Sequence, residues 1–391
     1  MNDIIMTWGE ITEKGLAEVE ALIGVPLRRS RMQWIESVTK DAIKHFAWGI
    51  GDDNPLWLDS EYATNSPVGN LIAPPCILYA IDSTIIAPKL PGVQWIYAGT
   101  DFIWLDHIKL NTEFKVAAKL LSQERKSGQR FSQWVLQSGE VKYSDKNGHL
   151  IAVAKGHVAR TPREKMASHA RNKEETKVHK YSPDELQKIE NQVLSEKRQG
   201  NVPLFWEDVD LGDIIPSVVK GPLTSTDILA WYSASQGALH YGGAHGDAIR
   251  YRQKHADYHI NSDTGAKDSA GRGHLESGTG NDVGMGGTYD IGPQRIAWAQ
   301  HMLCNWMGDH GFLHKLSVSV RRPNLVGDTI WWSGKVEAKR KVGDLRLVDL
   351  SLLAVNQNDK QSAFGTACVI LPSKETGNAR LPLPKKLAVV D

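Results

Sequence analysis

The stretch SQGALHYGGAHGDAIRY, Ser235 to Tyr251, brings His240, His245 and Asp247 close together in the chain, with Asp247 two residues beyond His245. Histidine titrates near neutrality and can give or take a proton. A second titratable group within hydrogen-bond reach makes an acid–base pair able to act on one water. The glycines around it let backbone and substrate approach closely. A second polar corner, GDDNPLWLD from Gly51 to Asp59, carries Asp52 and Asn54. Asp and Asn bond their local backbone readily, so these two read as turn formers. Metal binding by His240, His245 and Asp247, or by His255 and His259, is the weaker reading: no cysteine lies near and no ligand motif is present.

Both corners follow an apolar helix, and the two helices are alike. VTKDAIKHFAWGIGDD (Val38 to Asp53) lies over TSTDILAWYSASQGAL (Thr224 to Leu239) without a gap. Each has a hydroxyl N-cap candidate (Thr39, Ser225), then an aspartate in the first turn (Asp41, Asp227), then an apolar stripe, and stops at a glycine (Gly51, Gly237). The stripes read as Ile43, Phe46, Ala47 and Ile50 in one, and Ile228, Leu229, Tyr232 and Ser233 in the other. Downstream, LIAPPCILYAIDSTI and YDIGPQRIAWAQHMLCNWMGD both place proline at a helix entry, predicting longer helices near Pro75–Ile86 and Pro293–Met307. Alternating strands with hairpin signals at Asn147-Gly148 and Gly343-Asp344 follow in both halves. The chain is therefore an internal duplication.

Its 391 residues suit two domains. A formal net charge of +1 argues against binding nucleic acid through bulk charge. Cys76, Cys304 and Cys368 are few, odd in number and far apart, which favours a reducing compartment over a disulfide framework. The start MNDIIMTWGE shows no signal-peptide pattern, and no apolar run reaches the roughly 18 residues of a membrane span. A cytoplasmic protein is expected.

A helix ending in Gly-Asp-x-Asn-Pro, a second helix entered through IAPP or IGPQ, and the following VRRPNLVGDTIWWSGKV together resemble the MaoC-like dehydratases, the (R)-specific enoyl-CoA hydratases. The resemblance implies an α+β fold of two tandem hotdogs, each an antiparallel sheet wrapped around a long helix. It places the first hotdog at residues 1–160, a charged helical connector at 161–203 and the second hotdog at 204–391. The family's catalytic stretch reads Gly-Asp-x-Asn-Pro-Ile-His-x-Asp. In the first half Gly51, Asp52, Asn54, Pro55 and Asp59 match, but Trp57 stands at the histidine, and tryptophan neither accepts nor releases a proton at neutral pH. The first copy is thus expected to keep the shape of the corner and the second to carry the chemistry. Aligning His245 and Asp247 on His-x-Asp puts His240 at the aspartate. Anchoring on Gly237 puts Ala238 there instead, and both alignments keep His245.

The resemblance implies addition or removal of water at the α,β double bond of an acyl-CoA thioester, with coenzyme A entering as part of the substrate and no separate cofactor. Such a reaction needs donors facing the thioester oxygen, where enolate charge develops. The helix start at Gly292-Pro293-Gln294 offers them, through Gly292 and the Gln294 amide. Arg321 and Arg322 are candidates to meet the coenzyme A phosphates, or are solvated strand residues. The Gly-rich insert at 253–288 reads as a lid over the site or as disorder. Most of the 13 tryptophans read as packing, a few as walls for a bulky acyl group. Alternatives are a catalytically impaired subunit that lends its cavity to a heteromeric hydratase, and a lyase or thioesterase on the same fold. A homodimer is expected.

Overall fold

The structure, a computed structural model, describes residues 9–29, 33–128, 133–162, 178–237, 245–253, 259–260 and 264–388. One antiparallel sheet of ten strands runs through it. The first half supplies β1 (Pro26–Leu27), β2 (Gln94–Trp104), β3 (Phe114–Lys126), β4 (Trp134–Asp145) and β5 (Leu150–Thr161). The second supplies β6 (Ile214–Lys220), β9 (Phe312–Val320), β10 (Ile330–Val342), β11 (Leu345–Asn356) and β12 (Gln361–Ile370), with a separate small hairpin, β7 (His259–Ile260) and β8 (Lys267–Asp268), between β6 and β9. The spatial order is β1-β3-β4-β5-β2-β9-β12-β11-β10-β6, which reads the same way outward from its centre. β2 and β9 are the central pair, in register from Gly99 opposite Ser319 to Ile103 opposite Lys315. The expected pair of hotdogs is thus fused edge to edge. Gly99 is required at this join, because a Cβ there would lie 2.2 Å from the Val318 carbonyl oxygen.

The matched helices form as their caps dictate. In α2 (Lys40–Gly49) Thr39 accepts a hydrogen bond from the Ala42 amide, and α7 (Ser225–Ser235) begins with a capping box between Thr224 and Asp227. The N-cap of the second helix is therefore Thr224, one residue before Ser225. The apolar stripe there is Ile228, Trp231, Tyr232 and Ala234, while Leu229 and Ser233 face solvent. The two helices cross closely at Gly49, where a Cβ would meet Ala234 at 2.7 Å. Phe46 packs edge-on to Trp231 at 5.7 Å.

The longer helices are unequal. α10 (Gly292–Met307) fulfils the expectation over 16 residues, nearly all buried. The first half does not: a 3-10 turn, Pro75–Ile77, leads into α5 (Leu78–Ile81), and the helix stops at Asp82. Two local causes are visible. The Asp82 carboxylate accepts the Thr84 amide at 2.8 Å and pairs with Arg29 at 2.6 Å, so it fixes a turn instead of another helical residue. The chain then continues without regular structure, with Thr84 at φ +61°, across a glycine pair on neighbouring strands, Gly139 opposite Gly156. A Cβ on Gly139 would strike Ile86 at 2.4 Å, and one on Gly156 the Thr84 carbonyl oxygen at 2.0 Å.

The connector contains α6 (Pro183–Leu194), opened by a Ser182–Glu185 capping box and mostly exposed. The residues after it fold back onto α10: the Gln199 amide donates to the Asn305 carbonyl at 2.8 Å, and the Asp309 amide to the Gly200 carbonyl at 2.9 Å. The described part of the Gly-rich insert is folded, with a 3-10 turn at Ala270–His274 and α9 at Ser277–Asp282. Among the described residues no helix is long and apolar enough to cross a membrane.

Candidate active site at the join of the two halves

Four stretches meet beside the first corner: the corner itself, the end of β6, the middle of α10 and the tail of the connector. α2 ends at Gly49, and Gly51 turns the chain with φ +64°. The Asn54 amide donates to Asp52 Oδ1 at 3.1 Å, and the Leu56 amide to Asn54 Oδ1 at 3.0 Å. These are the turn bonds expected of Asp52 and Asn54. They do not exhaust Asp52, whose carboxyl is fully buried and whose Oδ2 has no hydrogen-bond partner among the described residues. Burial disfavours the charged form and pushes its pKa up to about 7, against the pull of the Asn54 amide and of Lys220.

His301, completely buried on α10, stands opposite. Its Nε2 lies 3.6 Å from Asp52 Oδ1 and 3.7 Å from Glu196 Oε1. Its Nδ1 is 2.9 Å from Lys220 Nζ, which also donates to the Gly51 carbonyl at 2.9 Å. Burial drives the His301 pKa well below the usual imidazole value, and Lys220 and Arg198 push the same way, so the ring is neutral at physiological pH. A charged Lys220 donating to Nδ1 leaves the ring proton on Nε2. Asn305 lies 3.1 Å from that Nε2, and its Oδ1 has no partner as placed. With the carboxamide turned over, that oxygen accepts the Nε2–H.

Trp57 is buried here, and among the described residues its indole N–H has no hydrogen-bond acceptor in geometric range, although it lies near enough to Asp52 to favour the carboxylate. Trp57 therefore contributes a donor where it cannot contribute a proton. Next to it is a narrow pocket of about 30 Å³, walled by Asn54, Trp57, Trp104, Cys304, Met307 and Asp309, with room for about two waters.

His240 falls outside the described residues, and His245 is the first residue of α8 (His245–Gln253). Asp247 does not serve as a buried partner: its carboxylate is exposed and pairs with Arg250 one turn on. The start of α10 is packed rather than open. The Gln294 carboxamide donates to the Asp227 carbonyl at 2.9 Å, and a Cβ on Gly292 would strike Tyr97 at 2.5 Å. Seven residues, roughly 10 Å of helix, separate Gln294 from His301, so neither expected donor faces Asp52. Arg321 and Arg322 are exposed at the end of β9, with Arg321 over the Phe364 ring at 4.9 Å. His301, Lys220 and Glu196 were not singled out from sequence. One signal was available: Gln300, His301 and Asn305 are polar residues at helical spacing in an otherwise apolar helix.

Residues 21–154 match a family model described as FAS1-like, dehydratase domain region. No curated protein matches the chain. Among solved structures, a MaoC-like dehydratase superposes with a TM-score of 0.61 at 14% identity, covering 91% of this chain and 100% of its own. A putative MaoC domain protein dehydratase from Chloroflexus aurantiacus gives 0.52 at 11% identity over 86% and 92%. A MaoC-like dehydratase from Phytophthora capsici gives 0.50 at 10% over 88% and 95%.

Proposed function

For a chain built on the double-hotdog fold of the MaoC-like dehydratases, we propose a hydro-lyase that adds or removes water at the α,β double bond of an acyl-CoA thioester, with its acid–base site at the join of the two halves. The observation that carries this reading is Asp52: a fully buried carboxyl with a bare Oδ2 and a pKa of about 7, facing a neutral histidine from the other half. A group with that pKa is populated in both forms at neutral pH, as general acid–base catalysis requires. Ionised Asp52 takes a proton from water as the oxygen bonds to C3. His301, held neutral and tied to Asn305, packs against the carboxylate and fixes its place. The indole N–H of Trp57, bare and beside the carboxylate, is the donor nearest to hand for the charge that develops on the thioester oxygen.

The test is turnover of 2-enoyl-CoA esters of increasing chain length by the purified chain, followed by loss of the conjugated thioester absorbance. Hydration that Asp52→Asn and His301→Gln both abolish, in proteins still folded by circular dichroism, supports the reading. Full activity in both variants, with loss in His245→Ala, moves the chemistry to the second corner. No turnover of any ester by the wild type favours the cavity-lending subunit.

A further inference from the structure

An acid–base addition of water needs a second proton-carrying group, and the connector supplies one. Beyond α6 the chain passes over the join, and Glu196 turns inward. Its side chain is 20% exposed, yet Oε1 is a buried atom without a hydrogen-bond partner among the described residues, 3.7 Å from His301 Nε2. The same Nε2 is 3.6 Å from Asp52, so two carboxyl groups flank one ring nitrogen from opposite chain segments. The neutral imidazole cannot itself release a proton at physiological pH.

We propose that Glu196 is the second catalytic carboxyl of this site: it delivers a proton to C2 while Asp52 removes one from the attacking water. The inference rests on the placement of the site at the join. The balance is closed. The O–H bond of water breaks, its proton goes to Asp52, and its oxygen bonds C3. The electron pair of the double bond takes the Glu196 proton at C2. The product leaves Asp52 protonated and Glu196 ionised, and the partly exposed Glu196 is reprotonated from solvent as Asp52 releases its own proton. Burial and Asp53 raise the Glu196 pKa, Lys220 and Arg198 oppose them, and Arg198 is itself engaged with Asp53.

The experiment compares wild type, Glu196→Gln and Asp52→Asn in kcat/KM for enoyl-CoA hydration across pH, and in the protonated-carboxyl infrared band at pH 6. Glu196→Gln should lower kcat by about 10²–10⁴-fold with little change in KM, remove the alkaline limb of the profile, and delete a carboxyl band. An inactive Asp52→Asn beside a fully active Glu196→Gln that keeps its alkaline limb overturns the role of Glu196 and leaves the site standing. If both variants are fully active, the placement of the site is overturned instead. A wild-type spectrum at pH 6 with no band that Glu196→Gln removes also overturns the proposal, whatever the substrate.

Discussion

In the proposed site, Asp52 sets function and stability against each other. Folding raises its pKa from 3.8 to about 7, so between those values the folded chain holds a proton that the unfolded chain releases. Stability from this group is therefore full below about pH 4 and is lost as pH rises through about 7. Asp52→Asn keeps an oxygen for the Asn54 amide and cannot ionise. Its melting temperature should match or exceed wild type at pH 8, the gap closing toward pH 4, with a maximum benefit on the order of a few kcal/mol. The same variant should lose about 10²–10⁴-fold in kcat/KM. A carboxyl kept only for the turn would give the reverse, a less stable protein with its activity intact. His301→Gln keeps a polar side chain in the buried site and should likewise lose rate. Thermal scans at three pH values beside the kinetics separate the cases.

The two central helices show how an element's length is set by what lies under it. α10 runs its full length, anchored at its start by Arg295, whose guanidinium is buried against Asp290 and donates to the Ser362 carbonyl at 2.8 Å. Arg295→Ala leaves Asp290 buried with only the Asn324 donors, and breaking such a pair typically costs about 3–5 kcal/mol. A shifted urea midpoint should show it. The first half spends the equivalent length on an irregular segment seated on Gly139 and Gly156. A methyl on Gly156 must displace the Thr84 backbone, so Gly156→Ala should cost at least the 1–3 kcal/mol typical of overpacking, read in the same assay. Gly148, with open space around its Cβ position but a φ of +86°, is the control in which only backbone strain contributes.

At the scale of the molecule, the proposed site belongs to neither half. Asp52 and Trp57 come from the first, Lys220 and His301 from the second, and Glu196 from the chain between them. One chain thus holds every named group, and specific activity should not change on dilution through any dimer dissociation seen by sedimentation. The halves expressed separately should each be inactive, and each should expose an unpaired edge, β2 or β9, which invites aggregation. Activity in an isolated second half would place the chemistry within that half.

Local signals determined much of this protein from sequence alone. The duplication, the capped helices before each corner, the full span of α10 and the turn bonds of Asp52 and Asn54 follow from periodicity, caps and turn chemistry, which act over a few residues. The stop at Asp82 was not legible, because Pro75 to Ile86 has helical spacing and the glycines that seat its irregular end lie on two later strands. Trp57 was read as a missing histidine, but only the fold shows what faces it. His301 and Glu196 carry no motif, and each gains meaning from a carboxyl group far away in the chain. Sequence determined which residues could turn, cap and titrate. The fusion of the sheets at β2 and β9, by burying Asp52 against α10, decided which of them meet.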